Sequence, residues 1–99
     1  MGKRRTGFVQ IEVGYEALVK YLYIKSWAEL VGAYQGKIIS YDVNMYYRWK
    51  LSGRKQAFID LVIDEIESFF LEDYYNTGLD GEYLIRKAKE AARKKDGNT

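Results

Sequence analysis

Seven apolar residues in alternate positions, Ile39, Tyr41, Val43, Met45, Tyr47, Trp49 and Leu51, constrain this chain more than any other feature of its sequence. Between them lie Ser40, Asp42, Asn44, Tyr46, Arg48 and Lys50, so the run has the two-residue period of a strand with one buried face. Drawn straight, residues 37–51 would reach about 50 Å at roughly 3.3 Å per residue, whereas a domain of this size has a radius of gyration near ~13 Å. The run must fold back, bend at a bulge or reach another chain. A two-residue loop at Val43-Asn44 would pair Ile39 with Arg48 and mix the faces. A three-residue loop at Asp42-Val43-Asn44 pairs Tyr41 with Met45 and Ile39 with Tyr47, and Asp and Asn suit such a turn. The pattern predicts that hairpin.

A second alternation, Val9, Ile11 and Val13 against Phe8, Gln10 and Glu12, predicts a strand over residues 7–13, ended by Gly14. Residues 15–34 have helical spacing but are apolar nearly all round. Leu18, Val19 and Leu22 form one stripe, and Tyr23, Ile24, Trp27, Val31 and Tyr34 another. Ser26-Trp27-Ala28-Glu29 fits a capping box, so a second helix starts there or one helix bends. After Ser52-Gly53, Phe58, Ile59, Val62, Ile63, Ile66, Phe69 and Phe70 share one arc of a helix over about residues 54–72, opposite Asp60, Asp64, Glu67 and Ser68. A loop over 76–81 leads through Asp80, a capping residue, into a last helix ending near Lys95, with a narrow stripe of Leu84, Ile85, Ala88 and Ala92. The expected fold is α+β: a small antiparallel sheet, strand plus hairpin, covered by three or four helices. It forms one domain over residues 1–99, with a flexible basic N-terminus (1–6) and C-terminal tail (96–99).

Composition bounds the chemistry. With 47% hydrophobic and 30% charged residues the chain is neither disordered nor membrane-spanning. No secretory signal is expected, because Gln10 and Glu12 interrupt the only apolar run near the N-terminus. There is no cysteine or histidine, which removes disulfides, zinc knuckles, a thiol nucleophile and the commonest general base. No glycine-rich phosphate loop or nucleophile elbow is present, and nothing marks a cleft for paired carboxylates. Catalysis, a cofactor and a small-molecule substrate are therefore not expected. Asp60, Asp64 and Glu67 share a helix face that could hold a hard cation, but no second ligand-bearing segment accompanies them, and no metal is assigned.

The net charge of +2 conceals segregation: residues 37–55 carry five cations and one anion, 56–80 seven anions, and 81–99 six cations and three anions. If the hairpin forms, Tyr46 lies on its open face beside Arg48 and Lys50, with Tyr47 and Trp49 turned inward. A tyrosine interleaved with cations on a strand is one way to stack and neutralise single-stranded nucleic acid, and Arg54, Lys55 and the basic run Lys3, Arg4 and Arg5 would extend the surface. Any half-solvated sheet also looks this way. The C-terminal cluster, Arg86, Lys87, Lys89, Arg93, Lys94 and Lys95, would either join a phosphate-binding patch or offset the acidic face of the preceding helix.

A different surface, Tyr23, Ile24, Trp27, Val31 and Tyr34, is wider than a one-faced helix needs. It is either a partner or dimer interface or the sign of a central helix packed on both sides. Met1-Gly2-Lys3-Arg4-Arg5-Thr6 also formally fits an N-myristoylation pattern next to a basic run.

With runs such as "YLYIKSW", "NMYYRWK" and "EDYYN", the whole chain resembles in style the small proteins encoded by filamentous viruses of hyperthermophilic, acid-dwelling archaea. The resemblance rests on no diagnostic motif, so no functional residue is carried over from it. It implies an intracellular viral protein in the host cytoplasm, not secreted, stable to heat and acid and without a defined enzymatic activity. Its partners would be DNA, a host protein or itself. Two functions are thus expected in alternative: nucleic-acid binding through a basic sheet face, or an interaction and assembly module using the aromatic helix face.

Overall fold

The computed structural model describes the backbone of residues 2–39 and 42–97, with side chains over 14–39 and 42–94. Four helices make up the described chain: α1 (Gly2–Tyr34), α2 (Val43–Leu51), α3 (Lys55–Glu72) and α4 (Gly81–Gly97). No strand occurs among the described residues, so the expected α+β fold, a small antiparallel sheet covered by helices, is replaced by an all-helical bundle.

Both strand expectations fail for a physical reason. Residues 7–13 belong to α1. Their alternation competes with a second spacing, Phe8, Ile11, Tyr15 and Leu18, which recur at three and four residues as a helix requires. Over residues 43–51 the residue that decides is Tyr46, which breaks the alternation. Met45, Tyr46 and Trp49, one helical face, are half-buried, while Val43, Tyr47 and Leu51 are exposed. Asp42, read as the start of a turn, is the N-cap of α2: its side chain accepts the Met45 backbone N–H at 3.0 Å. The remaining pairing of the hairpin, Tyr41 with Met45, involves a residue outside the described ones.

Ser26 starts no new helix, because α1 continues unbroken to Tyr34. It ends where Gly36 takes a left-handed φ of 84° and the Lys37 N–H reaches back to the Gly32 carbonyl at 2.8 Å. The buried Glu29 then accepts the Ile39 backbone N–H at 2.7 Å and ties the outgoing chain to α1.

Packing centres on Tyr23, Leu30, Phe58, Val62, Ile66, Phe70 and Ala88. The C-terminal half of α1 lies against both α3 and α4, which also touch each other, while α2 rests on α3. Ala88 and Ala92 are buried, and their small side chains let α4 approach closely, as the narrow stripe predicts. Aromatic rings seat α2: those of Tyr46 and Trp49 stand 5.9 and 5.4 Å from that of Phe58. At about 1.5 Å per residue, the 33 residues of α1 span the 51 Å long dimension of the molecule. An 18-residue α3 covers only about half of that. The N-terminal half of α1 therefore runs beyond its neighbours, and Tyr15, Leu18, Tyr21 and Ile24 are all more than half exposed.

Candidate binding surfaces

Where α1 runs past the end of the bundle, it forms one wall of an open groove of about 780 Å³. Tyr15, Val19, Tyr23, Ile24 and Trp27 supply the α1 wall, Tyr75, Asn76, Thr77 and Leu79 the loop between α3 and α4, and Leu84 the first turn of α4. Charged groups are few: Glu16 and Lys20 on α1 and Lys87 on α4.

One carboxylate holds the loop wall in place. Asp73, in the left-handed conformation at the end of α3, accepts hydrogen bonds from the Thr77 N–H at 2.8 Å, the Thr77 hydroxyl at 2.7 Å and the Gly78 N–H at 2.8 Å. Tyr23 of α1 donates its hydroxyl to the same carboxylate at 3.2 Å, so the loop is fastened to α1 across 50 positions of sequence. The Thr77 hydroxyl, followed by the Thr77 and Gly78 N–H groups, holds Asp73 below the usual carboxylate pKa. Burial, with the neighbouring Asp73 charge, pushes the Tyr23 phenol up.

The proposed partner face on α1 is largely internal. Tyr23 is 7% exposed, and its ring packs against Phe69 and Phe70 at 4.8 and 5.6 Å. Trp27 is half-buried and donates its indole N–H to the Leu84 carbonyl at 2.9 Å. Val31 and Tyr34 pack against the core, and the Tyr34 hydroxyl donates to Glu67. Of the five residues only Ile24, 59% exposed, is open to solvent, and with Trp27 it faces the groove. Both sides of α1 are needed because α3 and α4 flank it.

The cationic residues are redistributed. Tyr46 is half-buried on Phe58, and the exposed tyrosine of that stretch is Tyr47, with Lys50 at 5.8 Å from its ring centre. Arg48, Lys50, Arg54 and Lys55 are exposed on α2 and the start of α3, with the Arg54 guanidinium 4.7 Å above the Trp49 ring. The side chains of Lys3, Arg4, Arg5 and Lys95 lie outside the described residues, as does the Met1 end of the myristoylation pattern. Along α4, Arg86, Lys87, Lys89, Arg93 and Lys94 are all exposed, and Arg86 and Lys87 flank the Tyr83 ring at 5.3 and 5.6 Å. Lys87 also pairs with Glu90 of its own helix at 3.3 Å. Helices α2 and α4 do not pack on one another, so the middle and C-terminal basic clusters sit on separate elements.

Asp60 and Asp64 are exposed on α3, and Glu67 is engaged by Tyr34. Among the described residues no three acidic, histidine or cysteine side chains gather as a metal site, and no helix is long and apolar enough to cross a membrane.

Sequence reasoning missed the groove. Its walls are brought together by contacts between residues some 50 positions apart, which no local period records. The available signal was the excess of apolar residues over 15–24, more than one buried face can use. In comparison with known proteins, the chain matches no protein-family model, no curated protein and no solved structure.

Proposed function

We propose that this protein is a non-enzymatic interaction module, and that its groove takes the apolar face of a helical segment from a partner protein. The groove itself carries the proposal. It is open, walled on one side by α1, lined mainly by apolar side chains and held by a hydrogen-bonded loop, features that suit a helix-in-groove receptor. Lys20 and Lys87, one on each helical wall, outnumber Glu16 and favour acidic residues flanking the apolar face of the partner.

Trp27 reports on this site directly. With Trp49→Phe, Trp27 becomes the sole tryptophan. Amphipathic helical peptides with acidic flanks should shift its emission and bind more tightly than the same peptides with basic flanks, and Ile24→Glu should abolish the difference. Emission unmoved by any apolar-faced peptide would overturn the proposal.

A second reading, polyanion binding, is favoured by the exposed cations of α4. Arg86, Lys89 and Arg93 recur at three and four residues along one stripe, with Lys87 and Lys94 beside it, a helical surface suited to successive phosphates. Anisotropy of labelled single- and double-stranded DNA, titrated at low and moderate salt, tests it. Salt-sensitive binding weakened by the pair Lys89→Ala and Arg93→Ala supports it, and no binding at low salt removes it.

A further inference from the structure

Helix α2 carries apolar residues that the bundle does not use. Met45, Tyr46 and Trp49 form its inner face, packed on the core. Val43, Tyr47 and Leu51, each four residues from the next, form a stripe on its outer face and are 43%, 54% and 86% exposed. Helical spacing sets Lys50 along one edge of this stripe and Arg48 along the other. Just beyond Leu51 the chain reverses at Ser52 and Gly53, the latter with a left-handed φ of 78°, and the Arg54 N–H bonds back to the Trp49 carbonyl at 2.7 Å. That turn brings two more exposed cations, Arg54 and Lys55, to the end of the stripe.

Residues 43–59 hold these four cations and no acid. The carboxylates on either side in sequence are engaged locally: Asp42 caps α2 through the Met45 N–H, and Asp60 accepts the Gln56 side-chain amide at 2.9 Å. Among the described residues no ion pair reaches Arg48, Lys50, Arg54 or Lys55. Lys50 lies over the Tyr47 ring at 5.8 Å, and Arg54 lies over the Trp49 ring at 4.7 Å and donates to the Ser52 hydroxyl at 3.2 Å. These neutral partners position the cations without cancelling their charge. All four remain open to an anionic surface.

An apolar stripe edged by cations on the convex side of a helix fits one kind of surface best. A nucleic acid would engage the cations and stack on Tyr47, but would leave Val43 and Leu51, which offer no flat ring, in water. An anionic bilayer takes both sets at once. Val43, Tyr47 and Leu51 enter where the acyl chains begin, Tyr47 keeping its hydroxyl at headgroup level, and the cations lay their stems along the stripe and meet lipid phosphates. We infer that α2 and the turn after it dock this protein, lying flat, on an anionic membrane surface. Three apolar side chains and four cations make a reversible contact rather than an anchor. The site is separate from the groove: no groove-lining residue belongs to α2 or its turn, and α2 touches α3 but neither α1 nor α4.

Co-sedimentation of the full chain with vesicles tests the docking. Vesicles of phosphatidylglycerol and phosphatidylcholine in equal parts should carry the protein down, vesicles of phosphatidylcholine alone should not, and added salt should weaken the binding. The pair Arg48→Gln and Lys50→Gln should weaken it about 30-fold. Leu51→Ser should weaken it about 10-fold through lost insertion. All three positions are exposed, so helical circular dichroism should not change. Leu51→Cys, in a chain without native cysteine, carries an environment-sensitive dye whose emission should shift to the blue on the anionic vesicles. Ile24→Glu in the groove, and the α4 pair Lys89→Ala and Arg93→Ala, should bind these vesicles as wild type does, so this inference and the proposed functions fail separately. No binding to anionic vesicles at low salt would overturn it. So would binding that needs Arg48 and Lys50 but ignores Leu51→Ser and leaves the dye unshifted, the contact by charge alone that single-stranded DNA would also make. Binding lost in the α4 pair and kept by both α2 variants would overturn it as well.

Discussion

Trp27 on α1 donates its indole N–H to the Leu84 carbonyl of α4 across 2.9 Å and 57 positions of sequence. The bond joins the helix that forms one groove wall to the helix that forms another, and the indole body packs against the core beneath it. Trp27→Phe should cost about 1 kcal/mol for the lost bond. Trp27→Asp should cost about 3 kcal/mol or more, because it removes the ring and sets a carboxylate against the core. Urea denaturation followed by circular dichroism measures both, and equal costs for the two variants would mean that the ring contributes no packing.

At acid pH the fastening of the loop should loosen. Asp73 is held below its ordinary value of 3.8 by the Thr77 and Gly78 donors. Between that ordinary value and the lower folded one, the unfolded chain binds a proton that the folded chain does not. The Asp73 contribution is therefore complete above the ordinary value and lost as pH falls through the folded one. Asp73→Asn keeps a residue that tolerates the left-handed backbone, and it should flatten the fall in stability below about pH 4. Identical acid limbs for the variant and wild type would remove Asp73 as the cause.

The parts of the fold legible in the sequence are those where one spacing had no competitor. For α3, Phe58, Ile59, Val62, Ile66 and Phe70 form a single arc and are buried together, and Ser52-Gly53 marks the start within a few residues. For α4, Asp80 caps the helix as its position suggests, accepting the Tyr83 N–H at 3.2 Å. Residues 43–51 were illegible because Met45 and Trp49 satisfy both periods at once, while Val43, Tyr47 and Leu51 extend the alternation and Tyr46 joins only the helical face. Asp42 fits both a turn and an N-cap, since either uses its carboxylate to hold a nearby N–H. What decides between them is Phe58, which lies in another helix and offers its ring to Tyr46 and Trp49. Likewise Tyr23 and Trp27 fit either an exposed partner face or a helix packed on both sides until α3 and α4 are seen to flank them.

Alkaline pH should act through Tyr34. Burial first, and then the hydrogen bond and charge of Glu67, push its phenol well above the ordinary 10.0. Above that ordinary value the unfolded chain releases a proton that the folded chain retains, so stability falls as pH rises. Tyr34→Phe should lower stability near neutral pH by removing the bond to Glu67, yet flatten the decline above pH ~10. Crossing stability–pH curves for the two proteins are the expected result; parallel curves would exclude Tyr34 as the source of the alkaline limb.

Two glycines in helices should respond to alanine with opposite signs. At Gly81 a Cβ would stand 2.5 Å from the Phe70 carbonyl oxygen and 2.7 Å from its carbon, backbone atoms that cannot swing aside. At Gly14 nothing lies within 4 Å. Gly81→Ala should destabilise by about 1–3 kcal/mol, as overpacking does, and splay the start of α4 from the end of α3. Gly14→Ala should raise helix stability by roughly 0.5–1 kcal/mol. Thermal denaturation of the two variants separates steric closeness from helix propensity, because propensity alone would stabilise both.

Helix α2 should prove the most separable part of the molecule. Its nine residues are too few to form a stable helix alone, and none of them is fully buried. It holds to α3 through Met45, Tyr46 and Trp49, and to its own N-terminus through the Asp42 cap. Trp49→Ala removes the ring that sits 5.4 Å from Phe58 and under the Arg54 guanidinium, so α2 should open locally while α1, α3 and α4 stay packed. Amide hydrogen exchange reads this directly. Protection at Tyr46 through Trp49 should fall at least about 10-fold, with little change at Val62 and Ile66 in α3. Asp42→Ala, which costs about 1 kcal/mol of capping, should act on the same amides to a smaller degree. Equal loss of protection in α2 and α3 would instead show that the aromatic contact on Phe58 ties α2 into the cooperative core.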